Sequence, residues 1–226
     1  MSLRHPVVVT LFIVAALTTQ LSHASIIGAV AAGATGAVVG NALRSHGERS
    51  NVQQANQQAV QPAMQPTAAS QIEVGFSPEG SAEALVLKSI NVATRSILLT
   101  GYSFTSPTVV SALVAAKKRG VDVRVVVDYK NNIAEDSRGN AKTALNTLVN
   151  AGILVRTIDV FPINHDKVMV IDRAHVQTGS FNYSTAAATK NSENVIVIWN
   201  NPAVAETYVA HWIDRFNRGR DYQPGY

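Results

Sequence analysis

The chain contains no cysteine among its 226 residues. Disulfides, zinc–thiolate sites and a cysteine nucleophile are therefore excluded, whereas the redox state of the compartment stays open. Negative charge is also in short supply, because 15 acidic residues face 19 basic ones and leave a net charge of +4. A mild basic excess of this size favours an anionic partner.

The apolar run nearest the N-terminus is too short to span a bilayer. It covers residues 7–19, which is 13 residues, whereas a transmembrane helix needs about 20. Arg4 precedes the run, and the small residues Ser22 and Ala24 follow it. This order is typical of a secretory signal, so we predict that residues 1–24 are a cleaved signal peptide and that the protein is exported. An uncleaved anchor and a buried helix are the alternatives.

Two segments of biased composition follow the predicted signal. Residues 25–47 are rich in glycine and alanine, and Gly36 and Gly40 form a G-x-x-x-G pair. A flexible spacer is the favoured interpretation, and a membrane-associated helical hairpin or tether is the alternative. Residues 48–70 are rich in glutamine, alanine and proline and have no periodic apolar face. They are predicted to be a disordered linker.

From residue 71 onward, strand and helix patterns alternate. Ser81 is a candidate helix cap, and Ser106 followed by Pro107 predicts the start of a second helix. The predicted strands are IEVGF, SILLTGYSF, VDVRVVVD, ILVRTI, KVMVID, HVQTGS and NVIVIWN, of which KVMVID and HVQTGS form a hairpin. We therefore predict one α/β domain over residues 71–226, with a mixed, largely parallel β-sheet flanked by helices.

Polar groups of complementary chemistry cluster in the segment HDKVMVIDRAHVQTGSFN. His165 and Lys167 lie two residues apart, so on a strand both side chains point to the same face. Ser180 and Asn182 share a parity at the end of the next strand, after Gly179. Ammonium, hydroxyl and amide donors suit a phosphoryl group, and imidazole is either a nucleophile or an acid–base group.

No acidic cluster with metal-ligand spacing lies near this segment. The pattern therefore predicts phosphoryl transfer without a metal or another cofactor. Taken singly, the residues have plainer interpretations. His165 is then a structural histidine, Lys167 a solvated surface charge, and Asp172 a turn residue that bonds nearby backbone.

The whole pattern resembles the signature of the phospholipase D superfamily. The matching residues are His165-x-Lys167-x-x-x-x-Asp172, followed by Gly179-Ser180-x-Asn182. The stretches VGFSPEGSAEALVLKSI, YSFTSP and ALVAAKKRGVDVRVVVD further resemble the short bacterial endonucleases of this superfamily, often called Nuc. The resemblance covers about residues 72–218.

The resemblance implies a role for each residue of the candidate site. His165 would attack phosphorus and form a phosphohistidine, and Lys167 would bind the non-bridging oxygens. Ser180 and Asn182 would line the phosphate site. Glu193 would bond the histidine and set its tautomer, although a surface glutamate at the entry of a strand is the alternative.

The family aspartate is commonly structural, so Asp172 completes the candidate site at a lower rank. The mechanism of the family uses two histidines, and this chain carries the signature once. His175 and His211 are interpreted as structural or surface residues. The resemblance therefore implies a homodimer with His165 from each subunit facing a two-fold axis.

The favoured function is a metal-independent, nonspecific endonuclease that hydrolyses DNA or RNA. In a two-membrane bacterium the exported protein would be periplasmic. A phospholipid hydrolase or phosphatidyl transferase is the first alternative, and a binding protein that merely keeps the fold is the second.

Residues 117–119 are basic but end a helix, where cations interact favourably with the helix dipole. Tyr102 to Phe104 offer a stacking surface for bases, although buried packing is the favoured interpretation.

Overall fold

The structure is a computed structural model that describes residues 69–225. The predicted signal peptide, the segment 25–47 and nearly all of the predicted linker lie outside the described residues. Within the described range, no helix is both long enough and apolar enough to cross a membrane.

Eight strands form one sheet, in the spatial order β1-β7-β6-β5-β2-β3-β4-β8. The strands are β1 (Gln71–Ser77), β2 (Ser96–Gly101), β3 (Asp122–Asp128), β4 (Leu154–Ile158), β5 (Lys167–Ile171), β6 (His175–Gly179), β7 (Glu193–Trp199) and β8 (Arg220–Asp221). The helices are α1 (Ser81–Asn91), α2 (Pro107–Lys118), α3 (Asn140–Asn150), α4 (Thr185–Thr189) and α5 (Pro202–Arg218), and a π-helical turn covers Lys130–Ala134.

The sheet is mixed, as predicted, but parallel pairing is more limited than expected. Only β2, β3 and β4 pair in parallel within the described sheet, where α2 and α3 serve as crossover helices. The other neighbouring strands pair antiparallel. For β5 and β6 the reason is their short connection, since a parallel neighbour needs a crossover of a dozen or more residues.

Helix boundaries agree with the sequence signals at α2 and differ at α1. Ser106 caps α2 by accepting a hydrogen bond from the backbone N–H of Val109, and Pro107 begins the helix. Ser81 is the first residue of α1 rather than its cap. Its hydroxyl instead bonds the backbone of Phe76 in both directions, at 2.8 and 3.0 Å, and so ties α1 to β1.

Two apolar layers enclose the sheet. Helices α1, α2 and α3 bury one face, which includes Met169 and Ile171 of β5. Helix α5 covers the other face, where Val168 and Val170 pack with Trp212. The alternation along β5 follows from the two-residue period of a strand.

One edge of the sheet collects the polar side chains. The carboxyl ends of β2, β3, β4 and β6 and the first residues of β5 and β7 meet there, because β5 and β7 run antiparallel to the others. Ligands of α/β sheets commonly bind at such an edge. The edge therefore places the predicted site residues of β5, β6 and β7 side by side.

Candidate active site

Lys167 is a buried cation at the start of β5. It lies opposite Gly101 of β2, is 6% exposed, and donates a hydrogen bond from Nζ to the backbone oxygen of His165 at 2.8 Å. Burial lowers the pKa of Lys167, while the charges of Glu193 and Asp166 act in the opposite direction. Lys167 is thus a desolvated donor with acidic residues close enough to support its charge.

Ser180 and Glu193 face each other across β6 and β7. The Ser180 hydroxyl donates to Glu193 Oε2 at 2.6 Å and accepts from the backbone N–H of Asn194 at 3.0 Å. The carboxamide of Asn191 donates to Glu193 Oε1 at 3.0 Å. Both oxygens of Glu193 are therefore engaged, and the hydrogen bond expected between Glu193 and His165 does not form among the described residues.

Gly179 allows the close approach on which this pairing depends. Its φ is +143°, and a Cβ at this position would overlap the backbone oxygen of Asn194. That oxygen accepts a hydrogen bond from the N–H of Ser180 at 3.1 Å. A side chain at residue 179 would therefore push β6 from β7 and displace the Ser180 hydroxyl.

Five of the six predicted site residues line one open cleft of about 590 Å³. The lining residues are His165, Lys167, Gly179, Ser180, Asn182, Glu193 and Asn194. Within residues 69–225, Oδ1 of Asn182 is buried without a hydrogen-bond partner. The cleft also contains an imidazole, an ammonium, a hydroxyl and two carboxamides, of which the ammonium and the carboxamide N–H groups can donate to a ligand with several oxygens.

Residues 86–218 match the family described as "Cardiolipin synthase, PLD-like domain". The chain belongs to the phospholipase D superfamily. A protein named "Phospholipase D" from Rickettsia felis is 35% identical over 146 residues, which is 65% of this chain and 70% of the relative. The dog protein named "Mitochondrial cardiolipin hydrolase" is 30% identical over 142 residues, or 62% of this chain and 52% of the relative.

A solved structure of Nuc from Salmonella typhimurium, a phospholipase D family member, is 52% identical to this chain. The alignment has a TM-score of 0.66 and covers 69% of this chain and 99% of Nuc. The chain is therefore a superfamily phosphodiesterase of the Nuc type.

Asp172 does not line the cleft, which corrects its place in the candidate site. It follows β5 at the opposite edge of the sheet, with φ at 54°. Its carboxylate accepts hydrogen bonds from the backbone N–H groups of Thr94, Arg95 and Ser96 and from the Thr94 hydroxyl, at 2.7–2.9 Å. Burial would raise the pKa of Asp172, but these bonds outweigh it and lower the pKa. In this superfamily member the signature aspartate anchors the start of β2.

The other two histidines considered as a second base are engaged elsewhere. Nδ1 of His175 accepts from the backbone N–H of Asn200 at 2.8 Å. Nε2 of His211 lies 2.8 Å from Oδ2 of Asp166, on the face that α5 covers. Neither histidine lines the cleft, so His165 is the one imidazole that the described residues bring to it. Those residues also contain no group of three or more histidine, cysteine, aspartate and glutamate side chains that could hold a metal ion.

Sequence reasoning missed several residues that support the cleft. Asn194 lines it, and Asn191 holds the Glu193 carboxylate. Buried Asp128 accepts from the backbone N–H of Asn164, next to His165, at 2.8 Å. Buried Asn132 bonds the backbone at Tyr102. The signal for Asp128 and Asn132 was polar residues at the end of a buried parallel strand and in the turn that follows it.

The Asp172→Asn variant should be less stable than the wild type by about 2–3 kcal/mol at pH 7, because an amide cannot accept all four hydrogen bonds. The folded-state pKa is lowered, so this contribution is present above the ordinary aspartate pKa and is lost as the pH falls through the folded value. Urea unfolding followed by circular dichroism should show that the difference in free energy of unfolding between wild type and variant narrows below about pH 4. Asp122→Asn, at an exposed carboxylate, is the control. A difference in free energy of unfolding that is equal at all pH values would contradict the role of the ionised Asp172 carboxylate as an anchor.

Proposed function

We propose that the protein is a metal-independent endonuclease that hydrolyses phosphodiester bonds of DNA or RNA through a phosphohistidine on His165. The observation that carries the proposal is the cleft, where His165 lies beside the buried ammonium of Lys167 and the polar side chains of Ser180 and Asn182. The similarity to Nuc supports it independently, because 52% identity extends over 99% of that chain.

The reaction takes two displacements at phosphorus. An imidazole nitrogen of His165 attacks, a phosphorus–nitrogen bond forms, and the phosphorus–oxygen bond to the leaving group breaks. The leaving oxygen takes a proton from His165 of the partner subunit. Water then attacks the phosphohistidine and gives a proton to the same partner imidazole, which releases the phosphate product and restores both histidines.

The remaining cleft residues act on charge. Lys167 and Asn182 hold the non-bridging oxygens, whose negative charge compensates the buried ammonium. Glu193 supports the protonated form of Lys167, since its charge raises the pKa that burial lowers. Because Glu193 also accepts the hydrogen bond from the Ser180 hydroxyl at 2.6 Å, it holds a side chain of the cleft rather than the nucleophile.

A dimer is proposed because the cleft contains one imidazole and the two-step mechanism requires two. An exposed apolar strip adjoins the cleft and supports this arrangement. Ile72, Val74 and Phe76 of β1 are 69%, 49% and 55% exposed. They share a face with Ile196 and Ile198 of β7, their partners in the sheet.

The position of this β1 strip suits a two-fold contact. Helix α5 packs against β2 to β6, on the same side of the sheet, and leaves the β1 strip exposed. Phe76 pairs with Asn194, which lines the cleft. A second copy seated on the β1 strip would therefore bring its own cleft close to this one, and an apolar patch is self-complementary across a two-fold axis.

A phospholipid is the second candidate substrate. The relatives named "Phospholipase D" and "Mitochondrial cardiolipin hydrolase" favour it. So do Val160 and Ile163, which are 50% and 52% exposed in the loop that leads to His165, since exposed apolar side chains suit acyl chains.

Plasmid DNA should be cut by the full chain in excess EDTA at the same rate as without the chelator. The positive charge in the cleft comes from Lys167, which a chelator does not remove. Parallel incubations with RNA, cardiolipin and phosphatidylcholine vesicles identify the substrate class, and a metal-dependent nuclease treated in the same way controls for the chelator. Loss of cutting in EDTA would contradict the metal-free mechanism, and turnover of the vesicles alone would favour the phospholipid.

His165→Asn should abolish turnover and leave the oligomeric state unchanged, because the imidazole supplies the attacking nitrogen and lies in an open cleft. A phosphohistidine is hydrolysed in acid and survives in alkali. A reaction with a ³²P-labelled substrate that is quenched with alkali should therefore leave label on the wild type and none on the variant. His175→Asn, outside the cleft, is the matched control and should retain activity. An active His165→Asn protein would show that the nucleophile is misassigned.

Phe76→Arg should convert the dimer to monomers and lower activity at least about 100-fold, because a buried, unpaired guanidinium in an apolar contact is costly. Leu154→Arg is the control, since Leu154 is also an exposed apolar strand residue but lies on β4, near the opposite end of the strand order. Sedimentation velocity and plasmid cleavage measure the two effects on the same samples. Active monomers of Phe76→Arg would contradict the shared site.

A further inference from the structure

The imidazole of His165 lacks the hydrogen-bonding partner that the superfamily pattern led us to expect. Among residues 69–225 the hydrogen bond of His165 uses its backbone oxygen, which accepts from Nζ of Lys167, and not its ring. Glu193 is held by Ser180 and Asn191 instead. A nucleophile that attacks along one direction needs a fixed orientation, and a misplacement of about 1 Å can cost about 100-fold in rate.

Tyr102 supplies a contact to the imidazole. The ring centroids of Tyr102 and His165 are 4.7 Å apart, and their planes are tilted by 59°. This separation is within the range of favourable aromatic pairs. The tyrosine ring therefore forms one wall against the imidazole and restricts its rotation.

The same ring contacts the cation of the cleft. Nζ of Lys167 lies 5.2 Å from the centroid of Tyr102, which is within the distance of a cation–π interaction. Such contacts strengthen when the cation is desolvated, as buried Lys167 is. One aromatic ring thus touches both the proposed nucleophile and the proposed phosphate ligand.

Tyr102 is itself fixed through its backbone by a buried carboxamide. Nδ2 of Asn132 donates to the backbone oxygen of Tyr102 at 2.6 Å, and Oδ1 of Asn132 accepts from the N–H of Phe104 at 2.9 Å. Asn132 is fully buried in the π-helical turn after β3, and it also donates to the backbone oxygen of Asp128 at 2.7 Å. Turns of this kind are frequent at functional sites.

The far end of the Tyr102 loop is fixed as well. Backbone N–H groups of Thr105 and Ser106 donate to the backbone oxygen of Tyr183 at 2.8 and 2.9 Å. Tyr183 is fully buried, so this anchor belongs to the core. The backbone that carries Tyr102 is therefore held on both sides, and its ring is preorganised against two residues of the cleft, His165 and Lys167.

We propose that Tyr102 is a positioning residue, whose aromatic ring holds the His165 imidazole and the Lys167 ammonium in their reactive arrangement. The inference rests on the proposed function in taking His165 as the nucleophile. The positioning role belongs to the aromatic ring and not to the phenol hydroxyl, because both contacts are made by the ring.

Two substitutions separate the ring from its hydroxyl. Tyr102→Phe keeps both ring contacts, and its kcat for bis(p-nitrophenyl) phosphate should stay within about twofold of the wild type. Tyr102→Leu removes both contacts, and its kcat should fall about 10- to 100-fold with a smaller change in KM. Tyr222→Leu removes a ring beside α3, where the hydroxyl bonds Asn146, and should leave kcat unchanged. Thermal unfolding of each variant checks that it is folded.

A second readout does not depend on turnover. The pKa of Lys167, followed by the NMR shift of its ε-carbon, is lowered by burial and raised by Glu193 and Asp166. Loss of the ring also removes support for the ammonium, so this pKa should fall further in Tyr102→Leu and stay at the wild-type value in Tyr102→Phe. Loss of packing remote from Lys167 would not produce this difference between the two variants.

The outcomes distinguish the inference from the proposed function. Equal kcat and equal Lys167 pKa in Tyr102→Leu and wild type would overturn the role of Tyr102. Equal losses in Tyr102→Phe and Tyr102→Leu would also overturn it, because the hydroxyl would then be responsible. A wild type that turns over no phosphodiester would contradict the proposed function, and the Lys167 pKa in the two variants would still decide whether the ring holds the ammonium.

Discussion

The burial of one ammonium group at the start of β5 is the constraint around which the cleft is arranged. Taking a cation out of water is costly unless the surroundings return part of its solvation. The Lys167 ammonium donates a hydrogen bond to the backbone oxygen of His165 and makes a cation–π contact with the Tyr102 ring. The negative charges of Glu193 and Asp166 also stabilise it. In the proposed function a phosphate oxygen would complete this set, because an anion offsets the cost of burying the Lys167 ammonium.

The backbone makes this burial possible. Because β5 lies antiparallel between β2 and β6, its first residue reaches the same edge as the last residues of both neighbours. At the opposite edge, the carboxylate of Asp172 gathers the N–H groups at the start of β2 and so fixes the position of β5 against it. The signature thus spans the sheet, with chemistry at one end of β5 and an anchor at the other.

The contacts of Glu193 and Tyr102 differ from the roles that the family resemblance implied for the residues around His165. The acid holds Ser180, while an aromatic ring contacts His165. The single imidazole in the cleft and the exposed β1 strip are both consistent with the proposed dimer. Within the described residues, no other element buries the apolar side chains of this strip. The membership in the phospholipase D superfamily and the geometry of the cleft therefore support the same two-step phosphoryl transfer.

The amino-acid sequence determined the local features of this protein. The two-residue spacing of His165 and Lys167 indicated a shared site, although β5 begins only at Lys167, while Ser106 and Pro107 marked the start of α2 and the signature indicated the family. Tertiary structure decided what local periodicity does not encode. Which strands pair antiparallel, which partner occupies each oxygen of Glu193, and how Asn132 reaches Tyr102 all depend on residues distant in the chain. Hydrogen bonds and ring contacts are set by positions in space, and only the assembled sheet brings β2, β3, β5 and β7 to one edge.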